Sequence, residues 1–136
     1  MNLVAELINV SGKRKTAVAR ASVKNGSGKV RVNSVPVEIL TPELAKLKIM
    51  EPLQLAPERA AKVDIDVSVS GGGVIGQAEA VRTAIAKGLV EYFKDEELER
   101  TFKQIDRTLV VSDPRRKLPK KPLGRGARKK RQKSYR

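Results

Sequence analysis

Residues 63–89 read VDIDVSVSGGGVIGQAEAVRTAIAKGL, and the two ends of this stretch follow different periods. Val63, Ile65, Val67 and Val69 alternate with Asp64, Asp66, Ser68 and Ser70, as in a strand with one buried and one polar face. After the glycines, Val74, Ala78, Val81, Ile85, Leu89 and then Tyr92 recur at helical spacing, opposite Glu79, Thr83, Lys87 and Glu91. That spacing predicts the main amphipathic helix. A half-buried strand that turns through glycines into such a helix predicts an α/β (α+β) domain.

The turn also raises a chemical question. Gly71, Gly73 and Gly76 have the G-x-G-x-x-G spacing of a dinucleotide turn, in which glycine backbone lets a pyrophosphate approach the free N–H groups of a helix start. The context argues against it. Such a fingerprint follows a strand covered on both faces, whereas this one carries Asp64 and Asp66. It also needs an acid ending the next parallel strand about twenty residues on, where Asp95 and Glu96 instead open a helix. GSGK at 26–29 and the Gly12-Lys13 pair both lack the remaining glycine and hydroxyl of a phosphate loop. The glycines read as a tight strand-to-helix connection.

Working outward, residues 3–10 and 17–24 read as strands, and the cluster Asn25-Gly26-Ser27-Gly28 followed by KVRV predicts a hairpin over 17–32. Thr41 can cap a helix with Pro42 at its first position, and Pro52 limits its length. A second main helix starts at Asp95 with Leu98, Phe102 and Ile105 inward. Residues 107–113 read as a last strand stopped by Pro114.

The chain has 136 residues, room for one modest domain and an appendage. Lysine and arginine number 29 against 15 acids, a net charge of +14. The surplus is local: residues 115–136 hold 12 of the cations and no acid, leaving 17 cations against 15 acids before them. This divides the chain into a body, 1–113, and an extended basic tail, 114–136. Cysteine and histidine are both absent, which removes disulfides, thiol chemistry, the usual general base and the commonest transition-metal ligand. A non-catalytic protein with no cofactor, no metal and no small-molecule substrate is expected. No apolar run is long enough to span a bilayer, and the first residues lack the basic-then-apolar order of a secretory signal. The expected location is the cytoplasm, with no membrane partner.

The tail holds three prolines after Asp113, two glycines and few apolar side chains. It cannot bury enough surface to offset its ordering entropy, so its shape must come from a partner. Its cations bind nucleic acid through counterion release. Fully extended it spans at most roughly 70 Å. Lys13, Arg14 and Lys15, with Arg20 nearby, form either a solvated turn or, beside such a tail, part of the same footprint. An architectural DNA-binding protein and a small nucleotide-dependent enzyme are the rival readings.

The block GGGVIGQAEAVRTAIAKGL, the earlier GKRKTAVARA at 12–21 and the ending GARKKRQKSYR resemble the universal small-subunit ribosomal protein S-nine family over nearly the whole chain. QKSYR, with DPRRK upstream, looks like the archaeal and eukaryotic branch. Bacterial members end in a lysine-arginine pair; Tyr135 stands in the penultimate place here, so a charge contact there does not transfer. The resemblance implies a sheet with two main helices packed on it, similar to the second domain of ribosomal protein S-five, in the head of the small subunit. It implies as partners small-subunit ribosomal RNA, neighbouring small-subunit proteins and peptidyl-site transfer RNA, whose anticodon stem-loop the tail reaches. Carried onto this chain, Lys13, Arg14, Lys15, Arg20 and Gln77 of the body would face ribosomal RNA. So would Arg115, Arg116, Lys117, Lys120, Lys121, Arg125, Arg128, Lys129, Lys130 and Arg131 of the tail. Arg136 would contact an anticodon-loop phosphate, with Lys133, Ser134 and Tyr135 beside it.

Overall fold

The computed structural model describes residues 7–135. Its elements are strands β1 (Ile8–Arg14), β2 (Ala17–Asn25), β3 (Val30–Val32) and β4 (Val35–Pro36), helices α1 (Glu43–Leu55) and α2 (Pro57–Ala60), strand β5 (Val63–Ser70), and helices α3 (Val74–Phe93) and α4 (Glu96–Ile105). The strands form one sheet in the order β1-β2-β5-β3-β4. The expected α/β class and the strand-turn-helix over 63–93 are both present.

The alternation in β5 buries Val63, Ile65, Val67 and Val69, beside Ala17, Ala19, Ala21 and Val23 of β2 and Val30 and Val32 of β3. Alanine on β2 leaves room for α3 to lie close to the sheet. The approach is closest at two glycines. A β-carbon on Gly12 would meet Ala84 N at 2.7 Å, and one on Gly88 would meet Val23 Cγ2 at 2.7 Å.

Several sequence expectations are corrected. The first strand runs Ile8–Arg14 rather than 3–10, residues 3–6 of that expectation lying outside the described residues. It is displaced because Lys13 and Arg14 belong to the strand, which pairs with β2 through a two-residue turn at Lys15-Thr16. No hairpin spans 17–32: β2 is antiparallel to β5, and β3 pairs with β5 in parallel on its other side. The Asp64 carboxylate accepts the backbone N–H groups of Ser27 at 3.0 Å, Gly28 at 3.2 Å and Lys29 at 2.9 Å, drawing the chain across the start of β5. These donors hold the Asp64 pKa below its ordinary value, the Lys29 N–H contributing most.

Helix α1 starts one residue later than expected. Pro42 is its cap position without a side-chain cap bond, and Pro52 lies buried inside the helix. That proline removes one intrahelical bond near the end without stopping the helix. Helix α3 is buried beyond its predicted stripe: Thr83, placed on the polar side, is buried, as are Arg82 and Ala86, because α1 and α4 cover faces that the sheet does not. Val74 of the predicted stripe is 56% exposed.

Helix α4 starts one residue after the expected Asp95, which stands as its cap and accepts from the N–H groups of Glu97 and Leu98. Leu98 and Phe102 are buried, but Ile105, at the helix end, is 51% exposed. Residues 107–113 do not form a strand. The Asp106 carboxylate accepts the Thr108 N–H at 2.9 Å and bends Arg107–Leu109 into a 3-10 turn that buries Leu109. Only Asp113 reaches the sheet, bridging Arg14 in parallel.

Candidate nucleic-acid interface

The end of the sheet where β5 passes into α3 gathers most of the body residues of interest. Gly71 and Gly72 take φ of 80° and 68°, which glycine adopts without strain. A β-carbon on Gly71 would meet the Thr16 carbonyl oxygen at 2.5 Å. Gly73 has open space around its β-carbon position, and Gly76 meets only ordinary contact at 3.8 Å. The glycines that shape the turn are therefore Gly71 and Gly72, and the spacing of a dinucleotide fingerprint is incidental. Gln77 Nε2 donates to the Gly71 carbonyl at 3.1 Å, closing the turn on itself.

Strand alternation separates the basic cluster. Lys13 and Arg20 are exposed on the sheet face away from α3, and Lys15 is exposed at the β1-β2 turn with φ of 55°. Arg14 points the other way, toward the helices. Its Nε donates to Glu79 Oε2 at 2.8 Å, and Nη1 lies 3.9 Å from Asp113 Oδ2. Lys48 reaches the same Glu79 at 3.4 Å. Arg14 thus ties β1 to α3 and to the root of the tail.

Arg115 closes that root. Its Nε donates to both Asp113 carboxylate oxygens, at 3.0 and 2.9 Å, and its backbone N–H donates to Oδ1 at 3.0 Å. Arg115, by side chain and then by backbone, holds the Asp113 carboxyl down at about 2. Beside it, a polar cavity of about 290 Å³ is lined by Arg14, Lys48, Arg82 and their acids. Arg82 donates to Glu51 at 2.7 Å and to Asp106 at 2.9 Å. Burial pushes the Arg82 pKa down, but these two bonds outweigh it and leave the guanidinium above its ordinary value. With cations and acids this nearly balanced, the cluster works as an internal brace joining α1, α3 and the tail root.

Beyond Arg115 the side chains change role. Arg116, Lys117, Lys120, Lys121, Arg125, Arg128, Lys129, Lys130, Arg131 and Lys133 are all exposed, as are Ser134 and Tyr135. Arg136 lies outside the described residues. Among the described residues the tail forms no helix, and its regular bonding is local: Arg125 N–H donates to the Lys129 carbonyl at 3.1 Å, and Gly124 bridges Lys130.

Two cations lie outside the set that the resemblance placed against RNA. Lys24 and Arg31 are exposed on the same open sheet face as Lys13 and Arg20. The signal that could have found them is an acid-free run: residues 7–37 contain seven cations and no Asp or Glu. Among the described residues no group of His, Cys, Asp and Glu is arranged to hold a metal, and no helix is long and apolar enough to cross a membrane.

The family model described as ribosomal protein S9/S16 matches residues 12–136. The chain is similar to the small ribosomal subunit protein uS9 of Thermoplasma volcanium, 56% identical over 96% of this chain and 99% of the relative. It is 59% identical to that of Thermoplasma acidophilum over 93% of this chain and 98% of the relative. The Halobacterium salinarum protein of the same name is 55% identical over 94% and 98%.

Proposed function

The chain belongs to the ribosomal protein S9/S16 family, and from that premise we propose that body and tail both bind small-subunit ribosomal RNA while residues 133–136 reach the anticodon stem-loop of peptidyl-site transfer RNA. As a ribosomal protein of the small subunit it acts in translation in the cytoplasm, as a structural constituent and not an enzyme.

One observation carries the RNA reading. The exposed tail cations from Arg116 to Lys133 have no acid in their own segment, while the buried cations of the body are neutralised within it. A chain segment so charged lowers its free energy by displacing counterions from packed phosphates. Its prolines favour extension, and its arginines fork to phosphate or stack on bases. Body 1–113 and tail 114–136 act as separate parts in this reading: one docks by shape and the other threads through RNA. Neighbouring small-subunit proteins complete the surroundings of the body.

Removing residues 134–136 tests the transfer RNA contact. Subunits carrying the shortened chain should assemble normally and release peptidyl-site transfer RNA faster in a filter-retention assay. Unchanged retention would remove the decoding role and leave the ribosomal RNA contacts standing.

A further inference from the structure

We infer that the uncovered face of the sheet is where the body receives RNA, with a sugar–phosphate backbone crossing β1, β2, β5 and β3 and held by Lys13, Arg20, Lys24 and Arg31. The inference rests on the RNA-binding reading above and names the face that performs it.

Register brings the four cations together. Lys13 is paired across from Val18, Ser11 from Arg20, Arg20 from Ser68, Lys24 from Asp64, and Asp66 from Arg31. Residues opposite one another in a sheet point to the same side, and α3 covers the other side. The Ser22 hydroxyl donating to Asn9 Oδ1 at 2.8 Å shows neighbouring side chains meeting on this open face.

Among the described residues none of the four cations lies within 4.0 Å of a carboxylate, whereas Lys48 and Arg59 on the helix side each have one and Arg14 and Arg82 each have two. Of the two acids on the open face, Asp64 is engaged by three backbone N–H groups, leaving Asp66. The acids are otherwise gathered in the segments that form the helix layer, since residues 7–37 hold none.

The remaining side chains favour a nucleic-acid backbone over a protein or a small anion. A protein interface needs an apolar or aromatic centre, and the apolar side chains that the paired strands place on this face, Val18 on β2 and Pro36 opposite Arg31 on β4, are separated by β5 and β3 and form no such centre. Cations four residues apart on a strand, such as Arg20 and Lys24, stand about 13 Å apart, too far to close on one phosphate but suited to following a chain of them. Ser11, Ser68 and Ser70 are short, exposed hydroxyl donors that let a backbone lie close. With no aromatic side chain there, the contact is to phosphate and sugar and not by base stacking.

The chain contains no cysteine, so single cysteines can place a tethered iron cleavage reagent on the full-length protein in reconstituted small subunits. Ser11→Cys and Ser68→Cys flank Arg20 on the open face; Thr101→Cys and Gln104→Cys lie on the outer side of α4; Ser134→Cys reports on the tail. Strong RNA cleavage from the first pair and background cleavage from the α4 pair is the expected result. Cleavage from α4 with none from Ser11 or Ser68, or cutting of a neighbouring protein from the open face instead of RNA, overturns the inference while the RNA-binding reading stands. No RNA cleavage from any position, the tail included, overturns both. A second measurement guards against altered assembly: replacing Lys13, Arg20, Lys24 and Arg31 by Gln should lower the log–log salt slope for binding small-subunit RNA by about 3. The same exchange at Lys62, Lys94, Arg100 and Arg107 should lower it by less than about 1; equal reductions overturn the inference.

Discussion

Two glycines of similar appearance in the sequence have opposite expected effects when given a β-carbon. At Gly12 the new atom would meet backbone of α3, with Ala84 N at 2.7 Å, so Gly12→Ala should destabilise the body by about 1–3 kcal/mol. At Gly76 there is ordinary contact at 3.8 Å, and alanine is the better helix former by about 1 kcal/mol. Gly76→Ala should therefore leave stability unchanged or raise it, and urea unfolding of both variants checks the contrast. Asp113 gives a second residue-level expectation. Its folded value, about 2, lies below the ordinary 3.8, so the Asp113–Arg115 contact stabilises the tail root above pH 4 and is lost as pH falls toward 2. A carboxyl carbon NMR titration should show that low midpoint in the native chain and return it toward the ordinary value in Arg115→Ala. At this scale the sequence made the cationic cluster legible, but not that Arg14 turns inward while Lys13 faces out. Adjacent strand residues point to opposite faces, and the strand boundary was hidden beneath the very charges in question.

Elements were legible where their signals are local. The strand 63–70, the helix after the glycines and the helix opening at Asp95 each rest on contacts within a few residues. Elements whose fate depends on distant partners were misread. Residues 17–32 carry good hairpin chemistry, yet β5 occupies the place beside β2, and Asp64 captures the intervening loop from more than 30 residues away. Residues 107–113 have the composition of a strand, but Asp106 folds them into a turn at the edge of β1. Helix α4 has little apolar surface besides Leu98 and Phe102, so it depends on those anchors. Phe102 is fully buried, and Phe102→Ala should cost about 3–5 kcal/mol. The signature expected is early amide exchange across Glu96–Ile105 with β2 and β5 still protected, and uniform exchange across the body would argue against α4 as a separately docked element.

At the scale of the molecule, the core is formed by the sheet, α1, α3, α4 and Leu109, and all of its buried apolar residues precede Asp113. A chain cut after Lys117 keeps the Arg14–Asp113–Arg115 root and should unfold cooperatively within a few degrees of the full-length protein, as differential scanning calorimetry would show. It loses nine cations, and its salt slope for structured small-subunit RNA should fall by roughly 6. A large drop in melting temperature would mean that the tail contributes to the fold. The same pair of chains compared on duplex DNA separates ribosomal from architectural binding, since a slope without RNA preference favours the latter.

The order of periodicities along the chain was enough, by itself, to determine an α/β body and a charged extension, because alternation, helical spacing and net charge are properties of neighbouring residues. The absence of histidine and cysteine likewise narrows the chemistry whatever the fold. Strand partners, the faces of α3 that become buried and the assignment of each cation to an internal brace or to an open surface were decided only in three dimensions. Those outcomes depend on which side chains compete for the same neighbour across tens of residues, and such competition leaves no period in the sequence to read.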